Sequence, residues 1–210
     1  MKKYGSVTDD NGQSYKTVEI GTQTWMAENL NYNVSGSICQ GERDGSVSTD
    51  SITKNCKKYG RLYHWAMALD LSTSCNSSTC SQQISKKHRG ICPSGWHIPN
   101  SEDGSTLLET VGGFSTAGRH LKTINGWSNP SSYGVYGMDT YGFSGLPGGC
   151  GHIANYCSLG RYGRWWSNIE FGDYDAIQFL TLSYDSNTAG FSELAPDHKG
   201  SFLSVRCLRN

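Results

Sequence analysis

Hydrophobic and polar positions alternate in the first part of the chain, which is the pattern of a strand with one buried face. Residues 15–20 alternate and are rich in β-branched side chains, and the pattern resumes over 22–26 after Gly21. This predicts a strand, a turn and a second strand. Residues 31–53 are rich in Gly, Ser and Asn, so we expect them to form a long loop.

Helical spacing of apolar residues replaces this alternation in the middle of the chain. It predicts a first amphipathic helix over 59–69. The polar stretch 71–89 is predicted to be irregular. A second, short helix is expected to begin with Ser101 as its N-cap and to end at Gly112. A third short helix is predicted over 115–123.

The last part of the chain has no helical period. Its short β-like segments are separated by glycine-rich turns and cover 141–146, 164–167, 176–184 and 202–208. Short helices followed by strands predict an α+β fold with a small antiparallel sheet and long loops. We find no internal repeat and no linker, so residues 1–210 are predicted to form a single domain.

Composition narrows the class of function. Lys plus Arg and Asp plus Glu number 18 each, so there is no basic field for nucleic acid. No stretch approaches the ~20 apolar residues of a membrane span. The 26 glycines and 12 tyrosines are typical of secreted, β-rich modules. No apolar signal segment follows Met1, so we expect this chain to be the exported part of a secreted or outer-surface protein.

The chain has eight cysteines, an even count that suits disulfides. No Cys-x-x-Cys motif and no zinc-finger spacing occurs, so we favour disulfides over a reduced set or a metal cluster. The count alone leaves the connectivity open. Our predicted pairs are Cys39–Cys56, Cys75–Cys80, Cys92–Cys207 and Cys150–Cys157.

Aromatic and arginine side chains concentrate among glycines over 156–166, a composition typical of binding hot spots. We expect Trp166 to be buried and its neighbours to be exposed. The alternative is that about half of this set packs in the core. The residues predicted to form one ligand-binding patch are Tyr156, Arg161, Tyr162, Arg164, Trp165, Tyr174, Tyr184 and Phe191.

For the other candidate residues we predict structural roles and no catalytic role. Trp25, Trp65 and Trp96 are flanked by apolar residues and are predicted to lie in the core. His97 is expected to be a buried structural histidine, and no histidine pair has metal-ligand spacing. We expect no catalytic residue and no cofactor. The exception is a structural calcium, for which the candidate ligands are Asp139, Asp173 and Asp175.

Several blocks of rare residues in a fixed order resemble the Fibrobacter succinogenes major paralogous domain family along nearly the whole chain. The matching blocks are Tyr15 to Gly21, Thr24 to Tyr32, Tyr59 to Tyr63 with Trp65, Cys92 to Pro99, Tyr141 to Gly149, Trp166-Ser167 and Ser204 to Cys207. The resemblance implies a C-type lectin-like fold, related to the formylglycine-generating enzymes, with the N- and C-terminal strands brought together. It also implies an exported or surface-anchored bacterial protein.

Two departures from the relatives of that fold bear on function. The pair Cys150 and Cys157 is not expected as a family norm, and a local bridge that stiffens the loop is its simplest interpretation. The paired acidic and amide ligands of calcium-dependent lectins are also missing, which argues against calcium-dependent sugar binding.

Three hypotheses for function follow. The first is a cell-surface binding or adhesion module that recognises a glycan or a protein through its aromatic and arginine side chains. The second is a thiol- or copper-dependent oxidase of the formylglycine-generating type, with Cys150 and Cys157 as reduced thiolates. The third is a structural surface or filament subunit that self-associates. We favour the binding module because a disulfide requires fewer assumptions than a copper site.

Overall fold

The structure is a computed structural model that describes residues 2–128, 136–151, 156–157, 159–171, 176–194 and 199–210. At 156–157, 176 and 193–194 only the backbone is described. Its strands are β1 (Tyr4–Thr8), β2 (Ser14–Ile20), β3 (Gln23–Met26), β4 (Trp96–His97), β5 (Cys150–Gly151), β6 (Tyr156–Cys157), β7 (Tyr162–Phe171), β8 (Ala176–Ser183), β9 (Ala189–Leu194) and β10 (Leu208–Arg209). Its helices are α1 (Thr49–Tyr59), α2 (Trp65–Ala68), α3 (Ser101–Thr110) and α4 (Phe114–Leu121), with 3-10 turns at Thr73–Asn76 and Ser81–Gln83.

A five-stranded antiparallel sheet joins the two ends of the chain. Its order is β1-β2-β3-β10-β4, so the last strand lies between β3 and β4. Leu208 in β10 is opposite both Trp25 and His97. The sheet therefore brings the N- and C-terminal strands together, as the resemblance implied.

A second sheet, in the order β7-β8-β9, forms an antiparallel meander, and β5 and β6 form a short pair. Helices α3 and α4 pack against β9. Two apolar clusters lie on either side of β7, because Trp165 belongs to one of them and Trp166 to the other. The molecule is thus a mixed helix and sheet structure whose β7 strand is covered on both faces.

The first helix does not lie where helical spacing predicts it. Helix α1 begins after Ser48, whose side chain accepts a hydrogen bond from the Ser51 amide, and it ends at Gly60 with φ 73°. It therefore occupies the end of the predicted loop 31–53, and only the single turn of α2 remains of the predicted helix over 59–69. Apolar residues there are buried because Leu62 pairs with Ile38 and Tyr63 with Leu203 in isolated bridges. Because these apolar residues are buried by different segments, their spacing in the sequence resembles that of an amphipathic helix.

Two smaller predictions also need correction. The N-cap of α3 is Asn100 and not Ser101, because the Asn100 side chain accepts from the amides of Glu102 and Asp103. The predicted strand over 141–146 is a turn, because the Asp139 carboxylate accepts from both the amide and the hydroxyl of Ser144.

The disulfides confirm three predicted pairs, Cys39–Cys56, Cys75–Cys80 and Cys92–Cys207. Cys150 is also disulfide-bonded. It is opposite Cys157 in the β5–β6 register. The side chain of Cys157 lies outside the described residues, so this fourth pairing stays a prediction.

Candidate functional site

Strand β7 divides the predicted binding residues between its two faces. Successive side chains of a strand point to opposite faces, so Tyr162 and Arg164 share one face and Trp165 lies on the other. Trp165 is 2% exposed, its ring packs edge-on against Phe143, and its Nε1 donates to Asn29 Oδ1 at 2.7 Å. The exposure predicted for Trp165 is therefore wrong, whereas Trp166 is buried as predicted.

Phe191 is also separated from the rest of the predicted patch. It lies on the same face of the sheet as Leu180, its register partner in β8, and Leu180 is in turn opposite Trp165. Its ring is partly buried and packs against Gly104 of α3, where an added Cβ would overlap it. The structure thus does not bring Phe191 together with Tyr162 and Arg164, because the pleat of the sheet directs them to opposite sides.

Two arginine–aromatic pairs remain at the end of the sheet where β7 begins and β8 ends. The Arg161 guanidinium lies 5.3 Å from the Tyr184 ring centroid, and the Arg164 guanidinium lies 4.8 Å from that of Tyr162. Arg161 is exposed and the other three side chains are partly buried. Arg164 also donates to Cys150 Sγ at 3.8 Å and lies 5.5 Å from the Phe179 ring centroid, so it is held against the sheet. Stacking on Tyr184 holds the exposed Arg161 guanidinium in place as a hydrogen-bond donor.

Three loops meet at this end of the molecule, and we call them the loop surface: residues 122–128, 159–161 and 183–186. The Ser128 amide donates to the Gly160 carbonyl at 2.8 Å, and the Tyr184 amide donates to the Arg161 carbonyl at 2.8 Å. The loop surface is therefore held together by backbone hydrogen bonds around the Arg161–Tyr184 pair.

Lys122, the first residue of the loop surface, links the segment 122–128 to the loop at 183–186 through side-chain hydrogen bonds. Its side chain is fully buried, and Nζ donates to the carbonyls of Ser183 at 2.9 Å and Ser186 at 2.7 Å. Nζ also lies 5.4 Å from the Trp127 ring centroid. Burial lowers the pKa of Lys122 to about 8, and the charge of Asp185 opposes that shift. No pattern in the sequence marks this residue, since its neighbours become its acceptors only in the fold.

Exposed apolar side chains on and beside the loop surface were also missed by sequence reasoning. Ile124 is 67% exposed and Leu159 is 41% exposed. Tyr136 and Met138 are exposed on the adjoining segment, whose Met138 amide donates to the Arg119 carbonyl. Single exposed apolar residues carry little information, but a group of them beside arginine–aromatic pairs is typical of a recognition surface.

Two predicted binding residues are not placed. Tyr174 lies outside the described residues, and at Tyr156 only the backbone is described, in β6 opposite Gly151. Their part in a binding patch stays a prediction.

Arg206 forms a buried polar centre next to Trp165 of β7. Its Nη2 donates to Asn29 Oδ1 at 2.6 Å and to the Ser144 carbonyl at 3.4 Å, and its Nη1 donates to the Phe143 carbonyl. The guanidinium also stacks on Phe143 and Trp165, at 4.3 and 5.2 Å. Burial lowers the pKa of Arg206 to about 9. This centre ties the C-terminal segment to the turn at 143–144 and to Trp165 in β7.

Other side chains singled out by the sequence have structural surroundings. Trp25, Trp65 and Trp96 are buried as predicted, and His97 is 1% exposed between Asp103 and Asn210. Within the described ranges no group of three or more His, Cys, Asp or Glu side chains could hold a metal ion. Of the predicted calcium ligands, Asp139 binds Ser144 and Lys2, while Asp173 and Asp175 lie outside the description.

An open groove of 710 Å³ lies beside β1 and β2, and no residue of the loop surface lines it. It is lined by Lys16 and Glu28 and by the end of α1 at Lys57 and Lys58, among other polar residues. No helix in the described part of the chain has the length and apolar character needed to cross a membrane.

A sequence comparison with protein families identifies the family of this chain. A family model described as the Fibrobacter succinogenes major domain matches residues 18–209. No curated protein and no solved structure gives a significant match to the chain.

Proposed function

The chain belongs to the Fibrobacter succinogenes major domain family, and from that premise we propose that it is a binding or adhesion module of the bacterial cell surface. We propose further that its mixed helix and sheet structure is of the C-type lectin-like class. Three described disulfides and a seventh bonded cysteine, Cys150, support a site of action in an oxidising, extracellular compartment.

One observation carries the proposal: the Arg161–Tyr184 and Arg164–Tyr162 pairs lie together at one end of the β7–β8 pair. Tyrosine and arginine are the residues on which binding energy concentrates, because they combine large contact area with hydrogen-bond donors. Exposed Ile124 and Leu159 on hydrogen-bonded loops add apolar area for a ligand. The ligand in this proposal is a glycan or a protein.

The mechanism we propose is display on a rigid base. Backbone hydrogen bonds among the three loops and the two bonds from Lys122 order the loop surface before any ligand arrives. A surface that is already ordered loses little conformational entropy on binding, so more of its contact energy appears as affinity.

Binding to an array of cell-surface glycans tests this proposal. We expect the double variant Arg161→Ala/Tyr184→Ala to lose at least about tenfold in affinity for any glycan that binds, because it removes one whole stacked pair. Lys54→Ala, which removes an exposed charge from α1, is the matched control and should bind like the natural chain.

A glycan that binds both variants equally would place recognition elsewhere and contradict the proposal for this surface. If no glycan binds, the same variants are compared in crosslinking to bacterial surface proteins. Retention of every crosslink in the double variant would then count against the loop surface.

The oxidase hypothesis requires Cys150 as a thiolate, whereas Cys150 is disulfide-bonded in the structure. Thiol labelling with disulfide mapping of protein made in an oxidising compartment distinguishes the two functions. We expect no labelled cysteine. Free thiols at Cys150 and Cys157 that bind copper would favour the oxidase instead.

A further inference from the structure

Strand β1 lies at one edge of the five-stranded sheet, and none of the strands in the described ranges pairs with its outer side. It pairs with β2 through five consecutive residues, from Tyr4 opposite Val18 to Thr8 opposite Ser14, without a bulge. Four of its five residues are exposed. An open, regular edge of this kind is a template for another strand. Proteins usually protect such an edge with a proline, a bulge or a charged side chain. Strand β1 contains no proline, bulge or charged residue.

The backbone groups that face outward can be assigned from the hydrogen bonds on either side of β1. The Lys3 carbonyl accepts from the Glu19 amide, and the Asp9 amide donates to the Gln13 carbonyl. The backbone amides and carbonyls of the odd-numbered residues therefore face β2. Those of Tyr4, Ser6 and Thr8 point away from the sheet. No backbone hydrogen bond within the described part of the chain reaches these outward groups.

Charges flank β1 in a self-complementary order. Lys2 and Lys3 precede the strand, and Asp9 and Asp10 follow it. Two copies of β1 placed parallel would bring lysine to lysine and aspartate to aspartate. Two copies placed antiparallel would bring Lys2 of each copy to Asp10 of the other, which attract. Asp9 takes no part, because it is buried and its carboxylate accepts from the Tyr15 hydroxyl of its own copy.

The Lys2 and Asp10 side chains are 35% and 59% exposed, and each already contacts an opposite charge of its own copy, Lys2 with Asp139 at 3.5 Å and Asp10 with Arg89 at 2.7 Å. Exposed ion pairs of this kind are weak, so Lys2 and Asp10 are free to exchange partners across the pair.

We propose that this edge binds a second copy of the chain, with β1 antiparallel to β1 and Ser6 at the centre of the pair. In this register Tyr4 of one copy is opposite Thr8 of the other, and all three outward-facing residues exchange backbone hydrogen bonds. Lys2 of each copy lies near Asp10 of the other, just beyond the strand ends. The five-stranded sheets of two copies become one continuous sheet. This inference does not depend on the proposed function of the loop surface.

Sedimentation equilibrium of the full chain over a range of concentrations is the test. We expect a reversible dimer for the natural sequence and a monomer for Ser6→Pro. Proline removes the outward-facing amide at the centre of the pair, while the hydrogen bonds from β1 to β2 come from its odd-numbered neighbours and remain. Ser6→Thr keeps the amide and is the matched control, so it should dimerise like the natural chain.

A natural chain that stays monomeric at every concentration would overturn the proposal, and so would a dimer that survives Ser6→Pro in a folded protein. If Ser6→Pro unfolds, charge reversal decides. Lys2→Glu and Asp10→Lys alone should each weaken the dimer, because each places like charges together at both ends of the pair. Their combination should restore it, and a double variant that fails to do so would exclude this register.

Discussion

Arg206 is the residue on which three distant parts of the chain depend. Its guanidinium is fully buried and donates to Asn29, to Phe143 and to Ser144, while two aromatic rings cover its faces. A buried carbonyl that loses its donor keeps the full cost of its desolvation. The contribution of Arg206 therefore lies in the carbonyl groups it satisfies at the turn 143–144 as well as in its own charge.

We predict that Arg206→Met lowers the free energy of unfolding by about 3 kcal/mol, because it leaves the Phe143 and Ser144 carbonyls without this donor. Arg206→Lys keeps the charge but loses the planar fork, so it should also destabilise the fold. Urea denaturation measures both variants. Arg209→Met, at an exposed position, should change stability by less than about 0.5 kcal/mol. Equal stability of Arg206→Met and the natural chain would refute this account.

Lys122 makes the stability of the fold depend on pH, and the direction of this dependence follows from its burial. Its pKa is about 8 in the folded chain, below the ordinary lysine value that it regains on unfolding. Below about pH 8 both states hold the proton and the full penalty of burying the charge is present. Above it the unfolded chain holds more protons, so this residue makes stability rise with pH until the ordinary lysine pKa is passed.

We predict that the natural chain gains about 1–2 kcal/mol in the free energy of unfolding relative to Lys122→Met between about pH 7 and about pH 9.5. Chemical denaturation at several pH values measures the difference. Lys54→Met, on the exposed side of α1, should show a difference that does not change with pH. A Lys122→Met difference that is equally flat would contradict the lowered pKa.

At the scale of elements, the packing of α3 on β9 depends on a glycine inside a helix. Gly104 lies in the first half of α3, where glycine disfavours the helix relative to alanine. The Phe191 ring of β9 occupies the space where a Cβ would project. The close approach of helix and strand thus requires a residue that disfavours the helix itself.

We predict that Gly104→Ala destabilises the protein by about 1–3 kcal/mol, although it raises helix propensity, because the ring of Phe191 must move. Thermal or urea unfolding measures this effect. Ser105→Ala, exposed on the same helix, is the control and should be neutral or slightly stabilising. The double variant Gly104→Ala/Phe191→Ala should lose less than the sum of its single variants, and strict additivity would argue against the contact.

Across the whole molecule, the disulfides act over very different lengths of chain. Cys92 and Cys207 are separated by 115 residues and join the segment before β4 to the residue that precedes β10. Cys75 and Cys80 are separated by only 5 residues. Both pairs are buried, so loop length is the main difference between them. In the chain-entropy account a longer closed loop restricts the unfolded state more.

We predict that replacing Cys92 and Cys207 by alanine lowers the free energy of unfolding by about 5 kcal/mol, and that the same change at Cys75 and Cys80 lowers it by about 2 kcal/mol. Denaturation of the two double variants under identical conditions compares them. Equal losses would show that local packing around the sulfur atoms outweighs the constraint on the unfolded chain.

Local sequence determined the elements whose pattern repeats over a strand. Strands β2 and β3 follow alternation and β-branched content, and strands β7 and β8 contain the β-like segments that glycine-rich turns separate. Three disulfide pairs and the burial of Trp25, Trp65, Trp96 and Trp166 were also predictable. Cys92 and Cys207 each lie beside an apolar, strand-like segment, whereas Cys39–Cys56 and Cys75–Cys80 follow from closeness in sequence. The family blocks added the meeting of the terminal strands.

Tertiary structure alone decided which side each aromatic residue faces and which polar groups meet. Trp165 is buried because β7 is covered on both sides, and no local pattern in a single strand reveals a second covering layer. The helix predicted over 59–69 failed for the same reason, since burial by distant segments produced a periodicity that mimics a helix. Lys122 and Arg206 find their acceptors at positions more than sixty residues away in sequence. Those contacts exist only once the chain has folded, because long-range packing and not sequence spacing sets the distances between them.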